Sequence, residues 1–425
     1  MKKMIGLLTV LAIVVMACTT NIGEKDAVLK QNDTETTKPR SNWDRSYGGA
    51  DKSYDRRLLK LRELIAPKFK TLKFDDKITG RTMTYNLYIP ADYDRRKSYP
   101  LVLFMADAST TGKGAEAPLK QGYGGIIWAT EKSQAKHPCF VLVPACKGPE
   151  NAVNDYWETS DEVDMALRLL HSVVSRYSID KNRLYTTGQS MGGMIAFYLN
   201  ANHPNLFAAS IFVGSQWDID VLGPLAYMKF FYIVSAADPK ASVGMRELGE
   251  MLKEKGVTFG TTKFSAKLPD SKQEKDILNL LAEGHSINFV QFTKGTVVPT
   301  GAQDPGAEHM YSFDYAYKLT AVRDWLFQQT KDTLAKKLYE RGLGVKKSYK
   351  KAISWYQIAA PTPKEAAKNV HPRVLALVRM GYFYEKGLGG KQDTAQAITW
   401  YQVAAKDNDA KAKAAIKRLS SAEGR

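Results

Sequence analysis

The chain has 425 residues, and setting aside a short basic and apolar N-terminus and the polar stretch behind it leaves about 370, room for one large domain and a small one. The formal charge of +17 is uneven, because segment 331–425 carries 20 Lys plus Arg against 8 Asp plus Glu and so holds +12 of it. Such an excess attracts anionic lipid, polysaccharide or nucleic acid, and a solvated helical surface kept soluble by lysine accounts for it at least as well; no nucleic-acid motif accompanies it, so no nucleic-acid partner is expected.

Met1-Lys2-Lys3, an apolar run from Ile5 to Ala17, and Cys18 read as a secretory signal rather than a spanning helix. Val15-Met16-Ala17-Cys18 resembles a bacterial lipobox, which implies that residues 1–17 are removed, that Cys18 is lipidated, and that the protein is tethered to a membrane outside the cytoplasm. Residues 18–56 are rich in Asn, Asp, Thr, Lys and Ser with hardly any apolar periodicity, so they read as a flexible tether. Cys139 and Cys146 bracket the apolar run Phe140 to Val143, which in extended form holds them roughly 20 Å apart. A bridge between them is excluded and both read as small buried residues.

Residues 57–330 are expected to form the large domain, and from Lys70 to Trp325 short β-rich runs alternate with helical ones, the pattern of an α/β, doubly wound and mostly parallel sheet. Strands are expected at 70–74, 83–89, 101–105, 139–143, 183–187, 209–213, 230–235 and 287–293. The first two alternate apolar and polar residues as an antiparallel edge hairpin does, whereas Leu101 to Phe104 and Phe140 to Val143 are continuously apolar, as buried parallel strands are. Helices with clear 3.6-residue periodicity are expected over 161–176 and 243–255, and a closing helix over 314–329.

Gly188-Gln189-Ser190-Met191-Gly192-Gly193 lies between a strand-like run and a helix-like one. Glycines beside the serine let strand and helix approach without Cβ clashes, so Ser190 can occupy a strained turn with its Oγ exposed: a nucleophile elbow. A serine nucleophile needs a base and a group that orients the base, in this fold in the order serine, acid, histidine. Asp238 directly follows the strand run 230–235 and is the expected acid, with Asp218 and Asp220 as rivals after the preceding strand. His309 follows the last strand and its loop and is the expected base, with His285 as the fallback. The oxyanion hole needs two backbone N–H groups, one from Met191 and one from the turn Ala106-Asp107-Ala108-Ser109.

Tyr88-Ile89-Pro90, Tyr99 to Phe104, Tyr177 to Tyr185, the elbow, and Pro204 to Ala209 together resemble the α/β-hydrolase branch of polyhydroxybutyrate depolymerases, feruloyl and acetylxylan esterases and prolyl-oligopeptidase-like peptidases, over residues 70–328. The resemblance implies a carboxylic ester hydrolase working through an acyl-enzyme on carbohydrate esters or small acyl esters. The same triad would serve a serine peptidase. It assigns the second oxyanion N–H to Ala108 but places Ala106-Asp107 where the branch usually has His-Gly. A carboxylate there is unfavourable beside a forming oxyanion unless it points away or pairs, so a degenerate hydrolase acting as a surface interaction protein is the third reading. The glycine-rich stretch 109–128 is expected to act as a mobile cap, with Trp128, Trp157 and Trp217 as walls for sugar or aromatic rings. No metal-ligand cluster or phosphate loop is present in the sequence, so neither metal nor cofactor is expected.

Within 331–425, Leu338-Tyr-Glu-Arg-Gly-Leu-Gly344 with Ala352 to Ala360 recurs 45 residues later as Phe383-Tyr-Glu-Lys-Gly-Leu-Gly389 with Ala397 to Ala405. These copies resemble Sel1-like repeats, which stack helix hairpins, and imply a docking surface for a protein partner or for the hydrolase domain. Trp355 and Trp400 fall on apolar helix faces and read as core.

Overall fold

The computed structural model describes residues 44–302, 306–331, 374–406 and 409–422, with Tyr349 and Ile353 besides. Nine strands form one sheet in the order β1 (Lys70–Asp75), β2 (Thr82–Tyr88), β4 (Phe140–Ala145), β3 (Tyr99–Met105), β5 (Ile179–Gln189), β6 (Ala209–Val213), β7 (Phe230–Ser235), β9 (Ile287–Phe292), β8 (Gly260–Phe264). The pairs β1–β2 and β2–β4 are antiparallel and all others are parallel. This is the doubly wound α/β fold with its antiparallel edge. Strand pleating sends Leu101, Leu103 and Met105 of β3 into one core and Val102 and Phe104 into the other. The first core is completed by Val163, Leu170 and Val173 of α2 (Asp161–Arg176) and Ile195 of α3 (Met191–Asn202). The second is completed by Tyr311 and Tyr317 of α6 (Ala307–Lys318) and Trp325 of α7 (Thr320–Gln328). Cys139 and Cys146 are buried and unbridged.

The closing helix expected over 314–329 is instead two, α6 and α7, separated at Leu319, whose backbone is extended (φ −63°, ψ 100°). The last strand of the sheet, β8, is an additional edge whose Thr261 and Lys263 face solvent, leaving only Gly260 and Phe264 buried. Helix α4 (Ala241–Glu254) precedes β8 and α5 (Asp270–Ala282) follows it, the latter also unforeseen.

Residues 44–56, expected as the end of the tether, pack onto the domain instead. Lys52 is fully buried and its Nζ lies 2.8 Å from Asp314 Oδ2 on α6. Tyr311 Oη donates to Asp51 O (3.0 Å), and Asp55 accepts from Tyr123 Oη (3.1 Å) while capping α1 (Arg56–Ile65) through the Leu58 N–H. A Cβ on Gly48 would fall 2.3 Å from the Ser109 carbonyl oxygen, so this strap passes the turn after β3 at backbone contact. The domain therefore begins before residue 57.

In the repeat region, α8 (Val374–Lys386), α9 (Thr394–Lys406) and α10 (Ala410–Ala422) share a separate core of Leu377, Met380, Phe383, Trp400, Tyr401, Ala412 and Leu419. Trp400 is a core residue; Trp355 and the first repeat copy lie outside the described residues, apart from Ile353. Gly381 lets α9 come close, since a Cβ there would meet the Tyr401 ring at 2.7 Å. Glu385 accepts from Tyr401 Oη (3.0 Å) and Arg418 Nη2 (2.8 Å), with Lys386 Nζ at 2.7 Å. Burial pushes its carboxyl up, but Arg418, Lys386 and Tyr401 outweigh burial and hold it at about 2. A value below the ordinary 4.5 stabilises the repeats above about pH 4.5, and that contribution disappears as pH falls toward 2. Amide protection over α8–α10 in the full chain, taken relative to the intrinsic exchange rate at each pH, should fall through this window, and Glu385→Gln should flatten the dependence.

Candidate active site

Strand β5 delivers Ser190 into a conformation that L-residues rarely adopt (φ 51°, ψ −123°), held by the Ser190 N–H bond to Val213 O at 3.0 Å. The flanking glycines are sterically required. A Cβ on Gly188 would lie 2.2 Å from Gly192 O, one on Gly192 would lie 1.9 Å from Met105 O, and one on Gly193 would lie 2.2 Å from Ser215 Oγ. Strand β3 and the elbow therefore meet at backbone contact, and the elbow also packs on the Ser215 side chain just beyond β6.

His309 stands in the first turn of α6 behind Gly306, and its Nε2 is 2.8 Å from Ser190 Oγ. Its Nδ1 is 2.5 Å from Asp238 Oδ2. Asp238, just beyond β7, also accepts from the Lys240 and Ala241 N–H groups at 3.1 and 3.0 Å at the start of α4. Burial pushes the Asp238 carboxyl up, but the His309 bond and charge and these N–H donors outweigh it and hold it below the usual range. Glu308, which sequence patterning does not distinguish, bonds Ser235 Oγ and the Gly295 N–H (2.5 Å), tying the helix of His309 to β7 and to the loop after β9. The rival residues are placed elsewhere: His285 pairs with Glu283 at 3.6 Å before β9, and Asp218 caps its own turn through the Asp220 N–H.

The N–H groups of Met191 and Ala108 have no hydrogen-bond partner among the described residues, as two oxyanion donors require. Asp107 is buried, and its carboxyl accepts from the Ser109 N–H (2.9 Å), Ser109 Oγ, Gln121 Nε2 and Gln189 Nε2 (2.8 Å). It pairs, which is the case in which a carboxyl beside an oxyanion turn is harmless.

Two substrate expectations need correction. Stretch 109–128 is packed into the domain rather than placed over the site: Tyr123, Ile126 and Trp128 are buried, and a Cβ on Gly124 would lie 2.4 Å from the Phe104 ring. Trp128 is core, with its Nε1 donating to Gly124 O (2.8 Å), because the tight glycine turns fold its ring inward. Trp157 is partly exposed at φ 66° on a loop closed by the Val153–Thr159 bridge and tied by Asp155 to Lys240 at 2.6 Å. Trp217 is nearly buried beneath it, edge-on at 5.5 Å, and Tyr156 beside it is exposed.

Sheet, elbow and triad placement define an α/β-hydrolase domain. Residues 77–220 match a family model described as a putative esterase, and residues 334–360 and 374–409 match the Sel1 repeat. A thermostable esterase of known crystal structure is similar in fold (24% identity, TM-score 0.50), the match covering 63% of this chain and 64% of that one. A ferulic acid esterase from Anaeromyces mucronatus is 13% identical over 60% of this chain and 90% of its own (TM-score 0.40). A Sel1 repeat protein from Oxalobacter formigenes is 35% identical over 20% of this chain and 32% of its own (TM-score 0.18). No curated protein matches the chain.

Proposed function

We propose that the protein is a serine esterase, tethered outside the cytoplasm by lipid on Cys18, that hydrolyses carbohydrate esters or small acyl esters through an acyl-enzyme. The observation that carries the reading is His309 bridging Ser190 and Asp238 at 2.8 and 2.5 Å. In this reading His309 Nε2 takes the Ser190 hydroxyl proton as Oγ attacks the ester carbonyl. The negative oxygen forms between the Met191 and Ala108 N–H groups, and His309 returns the proton to the departing alcohol. Water then repeats the sequence on the acyl-enzyme. Asp238 holds Nδ1–H and stabilises the imidazolium. Trp157, backed by Trp217 and flanked by Tyr156, offers an aromatic face for a sugar or aromatic ring, on a loop tied to the turn that carries the acid. The Sel1 repeats bring the enzyme to a protein partner.

The test is hydrolysis of p-nitrophenyl acetate by the soluble form lacking residues 1–18, beside Ser190→Ala. Loss of the activity by about 10³-fold or more in the variant supports the reading. A folded wild type that cleaves peptides but no ester reverses it in favour of a peptidase.

A further inference from the structure

Asp107 sits between the two halves of the oxyanion hole and touches both. Through the Ser109 N–H and hydroxyl it caps the short turn 108–110, and this cap sets the plane of the peptide that presents the Ala108 N–H. Through Gln189 Nε2 it holds the residue directly before Ser190, and therefore the elbow that presents the Met191 N–H. Gln121 Nε2 donates to the same carboxyl oxygen and also reaches Ser109 Oγ (3.2 Å), which accepts in turn from the Gly49 N–H of the strap (2.8 Å). Asp107, Gln121 and Gln189 are all at most 2% exposed, so water does not compete for these bonds.

We propose that Asp107 is a positioning residue of the catalytic machinery: its carboxyl joins the turn carrying the Ala108 N–H to the elbow carrying the Met191 N–H and fixes the spacing of the two donors. It touches neither substrate nor the reacting atoms. Donors aimed at an oxyanion act mainly in the transition state, so misplacing one lowers kcat and leaves KM nearly alone. This rests on the esterase reading above.

Asp107→Ala is expected to lower kcat about 10- to 100-fold per active site, with KM within about twofold, since an error near 1 Å in such a site costs about 10²-fold. Asp107→Asn should stay within about fivefold of wild type. Its oxygen still accepts from Ser109, and its amide meets Gln121 and Gln189, whose Oε1 atoms are buried without a partner and can be turned to accept. Gln189→Ala cuts the link to the elbow while sparing the Ser109 cap and should reproduce part of the kcat loss. Combined with Asp107→Ala it should add less than its separate effect.

The rates are measured on p-nitrophenyl acetate and normalised to sites counted from the p-nitrophenol burst. Fewer titratable sites with wild-type kcat at each would mark a purely structural role and overturn the inference, as would an Asp107→Ala kcat within about threefold of wild type. A wild type lacking any Ser190-dependent hydrolysis would bring down the esterase reading and this inference with it. Normal Ser190-dependent wild-type hydrolysis with unaffected variants would bring down the inference alone.

Discussion

Asp238→Asn should lower kcat on an activated ester by about 10⁴-fold while the protein stays folded. Asp238 Oδ1 accepts the Lys240 and Ala241 N–H groups, so an asparagine at this position must keep its oxygen there to avoid opposing donors. Its amide nitrogen then replaces Oδ2 and faces His309 Nδ1, 2.5 Å away in the wild type. Nδ1 is forced to accept, the ring proton moves to Nε2, and Nε2 can no longer take the proton from Ser190 Oγ. The loss is one of tautomer rather than shape, so unfolding midpoints should move little while kcat collapses and KM changes slightly. Steady-state kinetics beside a urea titration separates the two, and a kcat within about tenfold of wild type would mean that Asp238 does not orient the base.

The elbow was legible because its constraint is steric and local. Gly188 and Gly192 announce backbone contact in one short motif, and the positions of Asp238 and His309 follow from chain order around a parallel sheet. The fold class was legible for a similar reason, since β3 and β4 are buried on both faces and read as continuous apolar runs. What escaped depends on partners distant in sequence. Strand β8 carries Thr261 and Lys263 on a solvent edge, so its pattern resembles a loop. Asp107 read as a hazard to the oxyanion because sequence cannot say where a side chain points, and the donors from Gln121 and Gln189 that neutralise the hazard arrive only with the fold. Trp128 read as a platform because a tryptophan after a glycine-rich stretch has no periodicity to show that it faces the core. The polarity of residues 44–56 argued for a tether, yet Lys52 is among the most deeply buried side chains of the domain.

Lys52→Met should destabilise the hydrolase domain by about 3–5 kcal/mol. Lys52 is fully buried and Asp314 nearly so, and their pair at 2.8 Å is packed so closely that a Cβ on Gly122 would lie 2.6 Å from Asp314 Oδ1 and 2.8 Å from Lys52 Nζ. Methionine fills much of the lysine stem but leaves the nearly buried Asp314 Oδ2 with its counter-charge gone, while Oδ1 still accepts the Tyr123 N–H at 2.9 Å. The penalty comes from the stranded carboxyl, not from the net worth of the pair, because a buried ion pair roughly breaks even against apolar replacement. Adding Asp314→Asn should therefore restore more than half of the loss: it removes the stranded charge and keeps an oxygen for Tyr123. Urea unfolding of the single and double variants decides the point, and a double variant no more stable than Lys52→Met would show that packing, not charge, is what Lys52 supplies. Since Asp314 shares α6 with His309, the same titration followed by activity should show activity lost together with the domain, which ties the strap of residues 44–56 to the helix that carries His309.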